Sequence, residues 1–206
     1  LTGKETPCGK LAETYPFSYD DTPAALYYPA LERNAEYREG IYVGYRYYSS
    51  ANIAVRYPFG YGLSYTEFSY SDLQISEHAV SFTVKNTGTR SGGEIVQLYV
   101  ELPGAEVFRV KKELKGYQKL FLKPGEAQRV TFPLTDGMFR YWNIRTNRWE
   151  EEGGSWHMLI GSSSEDIRLT GTVERKGTGA ENPYQKEEIP NYVSGQIRKI
   201  KDNEYE

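Results

Sequence analysis

Carboxylates crowd at two places in the sequence, Asp20-Asp21 and Glu150-Glu151-Glu152, and paired carboxylates are the equipment of general acid and base catalysis. Hydrolysis of a glycosidic bond needs two of them held roughly 5 to 9.5 Å apart across a sugar. With 28 acidic residues the chain has material for a pair, but a pair also needs a rigid cleft. Asp20-Asp21, next to Pro23, reads more simply as a turn. The three glutamates before Gly153-Gly154 read as a solvated turn, with weak calcium binding as the sharper alternative.

The other reactive residue types are sparse. His78 stands beside Glu77, and His157 between Trp156 and Met158; neither has a partner arrangement that suggests a relay or a metal, so both read as surface histidines. One cysteine, Cys8, and two histidines exclude an internal disulfide and a closed zinc site. No metal and no cofactor is expected. Gly60-Tyr61-Gly62-Leu63-Ser64-Tyr65 begins like a dinucleotide fingerprint but has Tyr where the third glycine belongs. Gly88-Thr89-Arg90-Ser91-Gly92-Gly93 lacks the lysine of a phosphate loop and reads as a hairpin loop. Ser162-Ser163-Ser164 follows a strand and reads as a loop, and no Gly-x-Ser-x-Gly elbow occurs. No residue is therefore assigned a catalytic role. What remains is aromatic: 19 tyrosines against 8 phenylalanines, with Trp142, Trp149 and Trp156, whose faces suit sugars, protein interfaces and sheet surfaces alike.

The background composition narrows the class. A chain of 206 residues, 38% hydrophobic and 26% charged, can bury a sizeable core in one or two domains. No apolar run approaches the ~20 residues that span a bilayer, so no membrane is expected. The net charge of −3 supplies no general attraction for polyanions, so neither is nucleic acid. The lone cysteine, with no signal or anchor in view, favours a cytoplasmic setting. The start, Leu1-Thr2-Gly3-Lys4, reads as part of something larger.

Three stretches must position whatever the aromatics do. Residues 1–65 are rich in Tyr, Pro and Gly, and the prolines make long helices improbable; Gly40-Ile41-Tyr42-Val43-Gly44-Tyr45, β-branched and aromatic, suggests a strand. Residues 66–174 break into strand-length segments with turn residues between them. Val80, Phe82 and Val84 alternate onto one face, as do Val96, Leu98, Val100 and then Val130, Phe132, Leu134. Leu120-Phe121-Leu122 stops at Lys123-Pro124-Gly125-Glu126, and further strands are expected near 138–142, 156–160 and 167–173. Six or seven strands and no convincing helix make a mainly β, immunoglobulin-like sandwich. The tail, 175–206, is polar; its few apolar residues, Tyr184, Ile189, Tyr192, Val193, Ile197 and Ile200, would dock on a neighbour or lead into a following domain.

Three motifs in order then become familiar: Gly9-Lys10-Leu11-Ala12-Glu13-Thr14-Tyr15-Pro16, Tyr37-Arg38-Glu39-Gly40-Ile41-Tyr42-Val43-Gly44-Tyr45-Arg46-Tyr47-Tyr48, and Tyr57-Pro58-Phe59-Gly60-Tyr61-Gly62-Leu63-Ser64-Tyr65-Thr66. With Val84-Lys85-Asn86-Thr87-Gly88 and Lys112-Glu113-Leu114-Lys115-Gly116-Tyr117, they resemble the glycoside hydrolase family 3 β-glucosidases, from the end of the α/β-sandwich domain into the fibronectin type III-like domain. The resemblance implies a fibronectin type III-like β-sandwich, with 1–65 closing the preceding domain and forming a connector. It implies a non-catalytic accessory portion of a hydrolase of β-linked sugars. The family's nucleophilic Asp belongs to a (β/α)8 barrel and its acid/base Glu to a part of the α/β sandwich before the Gly-Lys-Leu segment; neither motif matches a residue here.

The implied partners are those two catalytic domains and, for the parent, its sugar. Tyr42, Tyr45, Arg46, Tyr47 and Tyr48 are the candidate interdomain contacts, the alternative being that these tyrosines close the sandwich's own end. In the tail, Ile189-Pro190-Asn191-Tyr192-Val193-Ser194-Gly195 resembles the connector of a branch in which the barrel follows this domain. Rival classes are a carbohydrate-binding module, suggested by the tyrosines and the three tryptophans, and an adhesion domain.

Overall fold

A computed structural model describes residues 3–25, 28 and 39–183, which leaves the tail's apolar residues and its connector motif outside the described part. Seven strands build a sandwich: β3 (Phe68–Ile75), β4 (Ala79–Asn86), β5 (Gly92–Glu101), β6 (Glu113–Leu122), β7 (Ala127–Pro133), β10 (Gly154–Gly161) and β11 (Ile167–Arg175). One antiparallel sheet has the order β3-β4-β7 and the other β11-β10-β5-β6. Val80, Phe82, Val84, Val130 and Phe132 from the first meet Val96, Leu98, Val100, Leu122, Met158 and Ile160 from the second in one core. The alternation seen in the sequence is this inward face.

β5 departs from clean alternation because both its faces are covered. Gln97 and Tyr99, which point away from the sandwich core, are buried as well. Their cover is the chain before the sandwich, whose described residues include β1 (Tyr15–Pro16) paired with β2 (Val55–Tyr57), a 3-10 turn (Tyr19–Asp21) and the α-helix α1 (Tyr45–Ala51). The strand expected over Gly40–Tyr45 is instead a turn leading into that helix. The short helix ends where Asn52, in the left-handed region at φ 52°, returns its N–H to the Tyr48 carbonyl.

The link Gly88–Gly93 is not a hairpin loop, since β4 and β5 belong to different sheets; it crosses between them. Fully buried Asn86 pins the crossing. Its amide donates to the carbonyls of Arg90 (2.7 Å) and Leu122 (2.9 Å), and its oxygen accepts from Thr66 Oγ1 (2.7 Å) and the Gly88 N–H (3.0 Å). Gly88 has to be glycine, because a Cβ there would lie 2.2 Å from Thr66 Oγ1.

A separate hairpin, β8 (Arg140–Asn143) with β9 (Arg148–Glu151), stands outside both sandwich sheets. It overturns the solvated turn expected at Glu150–Glu152. Buried Glu151 pairs with Arg175 (2.5 Å), and Glu152 with Arg109 (3.3 Å), so two of the three glutamates are structural ion-pair partners. Trp156 packs edge-on against Phe139 within the core (ring centroids 5.2 Å apart) and has no face to offer a ligand.

Candidate interdomain face

The segment before the sandwich is seated on it at several levels. Leu11 and the Gly60-Tyr61 pair exchange backbone bonds (2.8 Å each), and Lys10 reaches buried Glu94 on β5 (3.0 Å). Nearer the terminus, Arg90 donates to the Gly3 carbonyl (2.6 Å) and Thr6 Oγ1 to that of Ser91 (2.9 Å).

The five candidate contact residues divide in the structure. Tyr42, Tyr47 and Tyr48 are buried with Val110 in a second, smaller core, and Phe108 meets Tyr42 edge-on (ring centroids 5.6 Å apart). Burial pushes the Tyr42 phenol up to about 12, and its hydroxyl donates to the Arg109 carbonyl (3.4 Å). Tyr45 is half-buried: its ring lies between Phe59 (5.1 Å) and Tyr99 (5.7 Å), and its hydroxyl accepts from the Leu114 N–H (2.8 Å). Arg46, also half-buried, lines with Tyr45, Val43 and Glu13 a groove of about 470 Å³. The chain's own packing thus occupies Tyr42, Tyr47 and Tyr48 fully and Tyr45 in part. Tyr45 and Arg46 both line the open groove.

A buried polar network that motif reading treated as a plain loop holds this assembly. Ser162, Ser163 and Ser164 are all buried. The Ser162 carbonyl accepts from Gln97 Nε2 (3.0 Å), and Gln97 Oε1 accepts from the Tyr99 hydroxyl. The Ser164 N–H donates to the Phe59 carbonyl (2.9 Å), and the Ser164 carbonyl accepts from Lys112 Nζ. Next along, Glu165 takes Lys112 Nζ (3.2 Å) and, from α1, Ser49 Oγ (2.9 Å). Burial raises the Tyr99 phenol well above the ordinary tyrosine range, with Tyr45 and Glu165 adding to the push. Gly60 closes against the same group: at φ 83° it is in glycine's territory, and a Cβ would sit 2.4 Å from Gln97 Nε2.

The outer side of this seated segment is apolar. Phe17 and Leu63 are each 67% exposed, and Tyr15, Tyr57 and Tyr65 are exposed as well. Tyr15, Tyr57, Tyr61, Leu63 and Leu11 enclose an apolar depression of about 640 Å³. Its lining is mainly aromatic and aliphatic. The Tyr-Pro and Pro-Phe-Gly motifs flank it, but its existence depends on β1 pairing with β2 across some forty residues, which no local pattern announces. Among the described residues no three His, Cys, Asp or Glu side chains gather at metal-binding range, and no helix is long and apolar enough to cross a membrane. His78 is exposed, and His157 lies 3.7 Å from Glu101.

Residues 94–164, from β5 through the triple-serine loop, match the family model of the fibronectin type III-like domain. The chain as a whole belongs with the glycoside hydrolase family 3 β-glucosidases, of which it represents one region. It is 45% identical over 186 residues to the thermostable β-glucosidase B of Acetivibrio thermocellus, an alignment that covers 86% of this chain and 25% of that protein. It is 41% identical over 188 residues to an exo-α-(1→6)-L-arabinopyranosidase of Bifidobacterium breve, covering 89% and 25%. Among solved structures, the family 3 β-glucosidase of Bifidobacterium adolescentis superimposes with a TM-score of 0.80 at 38% identity, over 95% of this chain and 31% of that one. The chain therefore spans about a quarter of the length of the curated relatives it matches.

Proposed function

We propose that this chain is the accessory, non-catalytic portion of a larger glycosidase acting on β-linked sugars, and that it braces the catalytic domains. The observation that carries the reading is an exposed apolar depression lined by Tyr15, Tyr57 and Leu63, with exposed Phe17 two residues along from Tyr15, on a segment held by a buried polar network. In this reading residues 1–65 close the α/β-sandwich domain and connect it to the fibronectin type III-like sandwich at 66–174, and 175–206 lead to a following domain. Tyr45 and Arg46 on the groove rim meet another domain, while Tyr42, Tyr47 and Tyr48 hold that rim from behind. Two relatives with differently named activities, a β-glucosidase and an arabinopyranosidase, share this region at 45% and 41% identity, which supports a role outside sugar selection.

Bracing matters because catalytic carboxyls misplaced by about 1 Å lose roughly a hundredfold in rate. The test is Leu63→Asp with Phe17→Asp, made in the full-length hydrolase and in the 206-residue chain. Both positions are exposed, so the chain keeps its melting temperature, while the parent loses turnover more than tenfold. Unchanged turnover and thermal stability in the parent would refute the reading. The isolated chain hydrolyses no aryl β-glucoside; turnover abolished by a Glu or Asp substitution within it would likewise overturn the proposal.

A further inference from the structure

The β8–β9 hairpin carries an aromatic surface that bracing does not use. Trp142 and Trp149 are directly opposed across the two strands, their rings 5.6 Å apart at 76°, and they remain 44% and 61% exposed. One indole stands on the other, which makes a floor and a wall. The reverse face of the hairpin is engaged: Arg109 lies over Tyr141 (5.8 Å), and buried Asn143 donates to the Glu181 carbonyl (2.9 Å).

One step along the strands, on the same face as the indoles, lies a row of planar charged groups. Arg140 (3.0 Å) and Arg175 (3.1 Å) each donate to a different oxygen of Asp136, and Arg175 also holds Glu151. Each Asp136 oxygen has a second lone-pair direction, and Asp136 and Arg140 are both exposed. Such a surface has acceptors and donors in the plane beside a ring-sized apolar ledge.

We propose that this ledge is a binding site for a pyranose ring of a β-linked glycan. A pyranose whose hydroxyls are all equatorial presents C–H bonds on its faces, which suit the indole, and hydroxyls at its rim, which suit Arg140 and Asp136. The size of the patch argues for a ring over a protein. The two indoles leave on the order of 250 Å² exposed, against about 800 Å² per partner in a standard protein interface, and exposed Arg140, Arg145 and Arg148 share the hairpin with them, Ile144 being its one further exposed apolar residue. The site is independent of the bracing face; only the β linkage of the probe rests on the glycosidase reading.

The experiment is calorimetric titration of the 206-residue chain with cellotetraose, and with maltotetraose as the α-linked control. Saturable binding of cellotetraose is expected in the millimolar range, weakened about tenfold or more by Trp149→Ala. Tyr117→Ala, an exposed ring on β6, leaves it unchanged. Arg140→Ala keeps both indoles and is expected to weaken binding about threefold, which keeps the site testable if Trp149→Ala fails to fold. Absence of saturation, equal affinity for maltotetraose, or binding indifferent to both Trp149→Ala and Arg140→Ala would overturn the site. None of those results bears on the Leu63 and Phe17 experiment, so the two readings fail separately.

Discussion

Gly60→Ala puts the seating of the N-terminal segment to the proof. The new methyl would sit 2.4 Å from Gln97 Nε2, and the backbone would hold alanine at φ 83°. The conformational strain alone costs about 1–2 kcal/mol. Gln97 cannot simply swing aside, because it is buried to 3% exposure and bonded at both ends, to the Ser162 carbonyl and the Tyr99 hydroxyl. Displacing it forfeits two hydrogen bonds at about 1 kcal/mol each, for a total of about 3–4 kcal/mol. Gln97→Ala alone loses the same two bonds and leaves their partners bare, at about 2–3 kcal/mol. In the double variant the methyl meets no amide and the two lost bonds are counted once, so the loss falls short of the sum of the singles by about 2 kcal/mol. Urea unfolding of the 206-residue chain, followed by tryptophan fluorescence, reads all three. Additivity to within about 0.5 kcal/mol would mean that Gly60 does not close on Gln97, and the seating described above would be wrong.

Asn86→Ala leaves four backbone and side-chain groups without their partner, two of the bonds fully buried, and is expected to cost about 3–4 kcal/mol. For a chain of this size that lowers the melting temperature by roughly 8–15 °C by circular dichroism, and a shift under about 3 °C would contradict the pinning role. The raised Tyr42 phenol makes stability depend on alkaline pH. The contribution is whole below the unfolded value near 10 and is lost as pH rises through about 12. Tyr42→Phe should therefore flatten the fall in urea midpoint between pH 10 and 12, and an unchanged slope would count against the burial.

The sandwich was legible because the sheet β3-β4-β7 buries one face only: Val80, Phe82 and Val84 on its central strand advertise a period of two that a half-covered sheet requires. Helix α1 was not. Its sequence, Tyr45-Arg46-Tyr47-Tyr48-Ser49-Ser50-Ala51, has β-favouring aromatics and no acidic first turn; it is helical because Tyr47 and Tyr48 pack on Val110, some sixty residues away. The β8–β9 hairpin did leave a trace, Asn143 and Asn147 bracketing the turn between two tryptophans. Asn143 Oδ1 accepts the Arg145 N–H (2.9 Å), and Asn147 takes φ 53°. The acidic run misled because Arg175 and Arg109, which neutralise it, lie far off in sequence. Among the candidate tyrosines, residue types alone could not tell Tyr42, Tyr47 and Tyr48, buried in the smaller core, from half-buried Tyr45.

The triple-serine loop makes connections that the chain's linear order hides. Through it and neighbouring Glu165, β5, α1, the Phe59-Gly60 turn and Lys112 share one hydrogen-bonded group. A polypeptide beginning at Thr66 would strip the cover from Tyr99 and Gln97 and leave the Ser164 N–H with no carbonyl to meet. The boundary proposed before Thr66 is therefore not a place where the molecule comes apart. A protease or a cloning scheme that cuts there would injure the sandwich rather than release it.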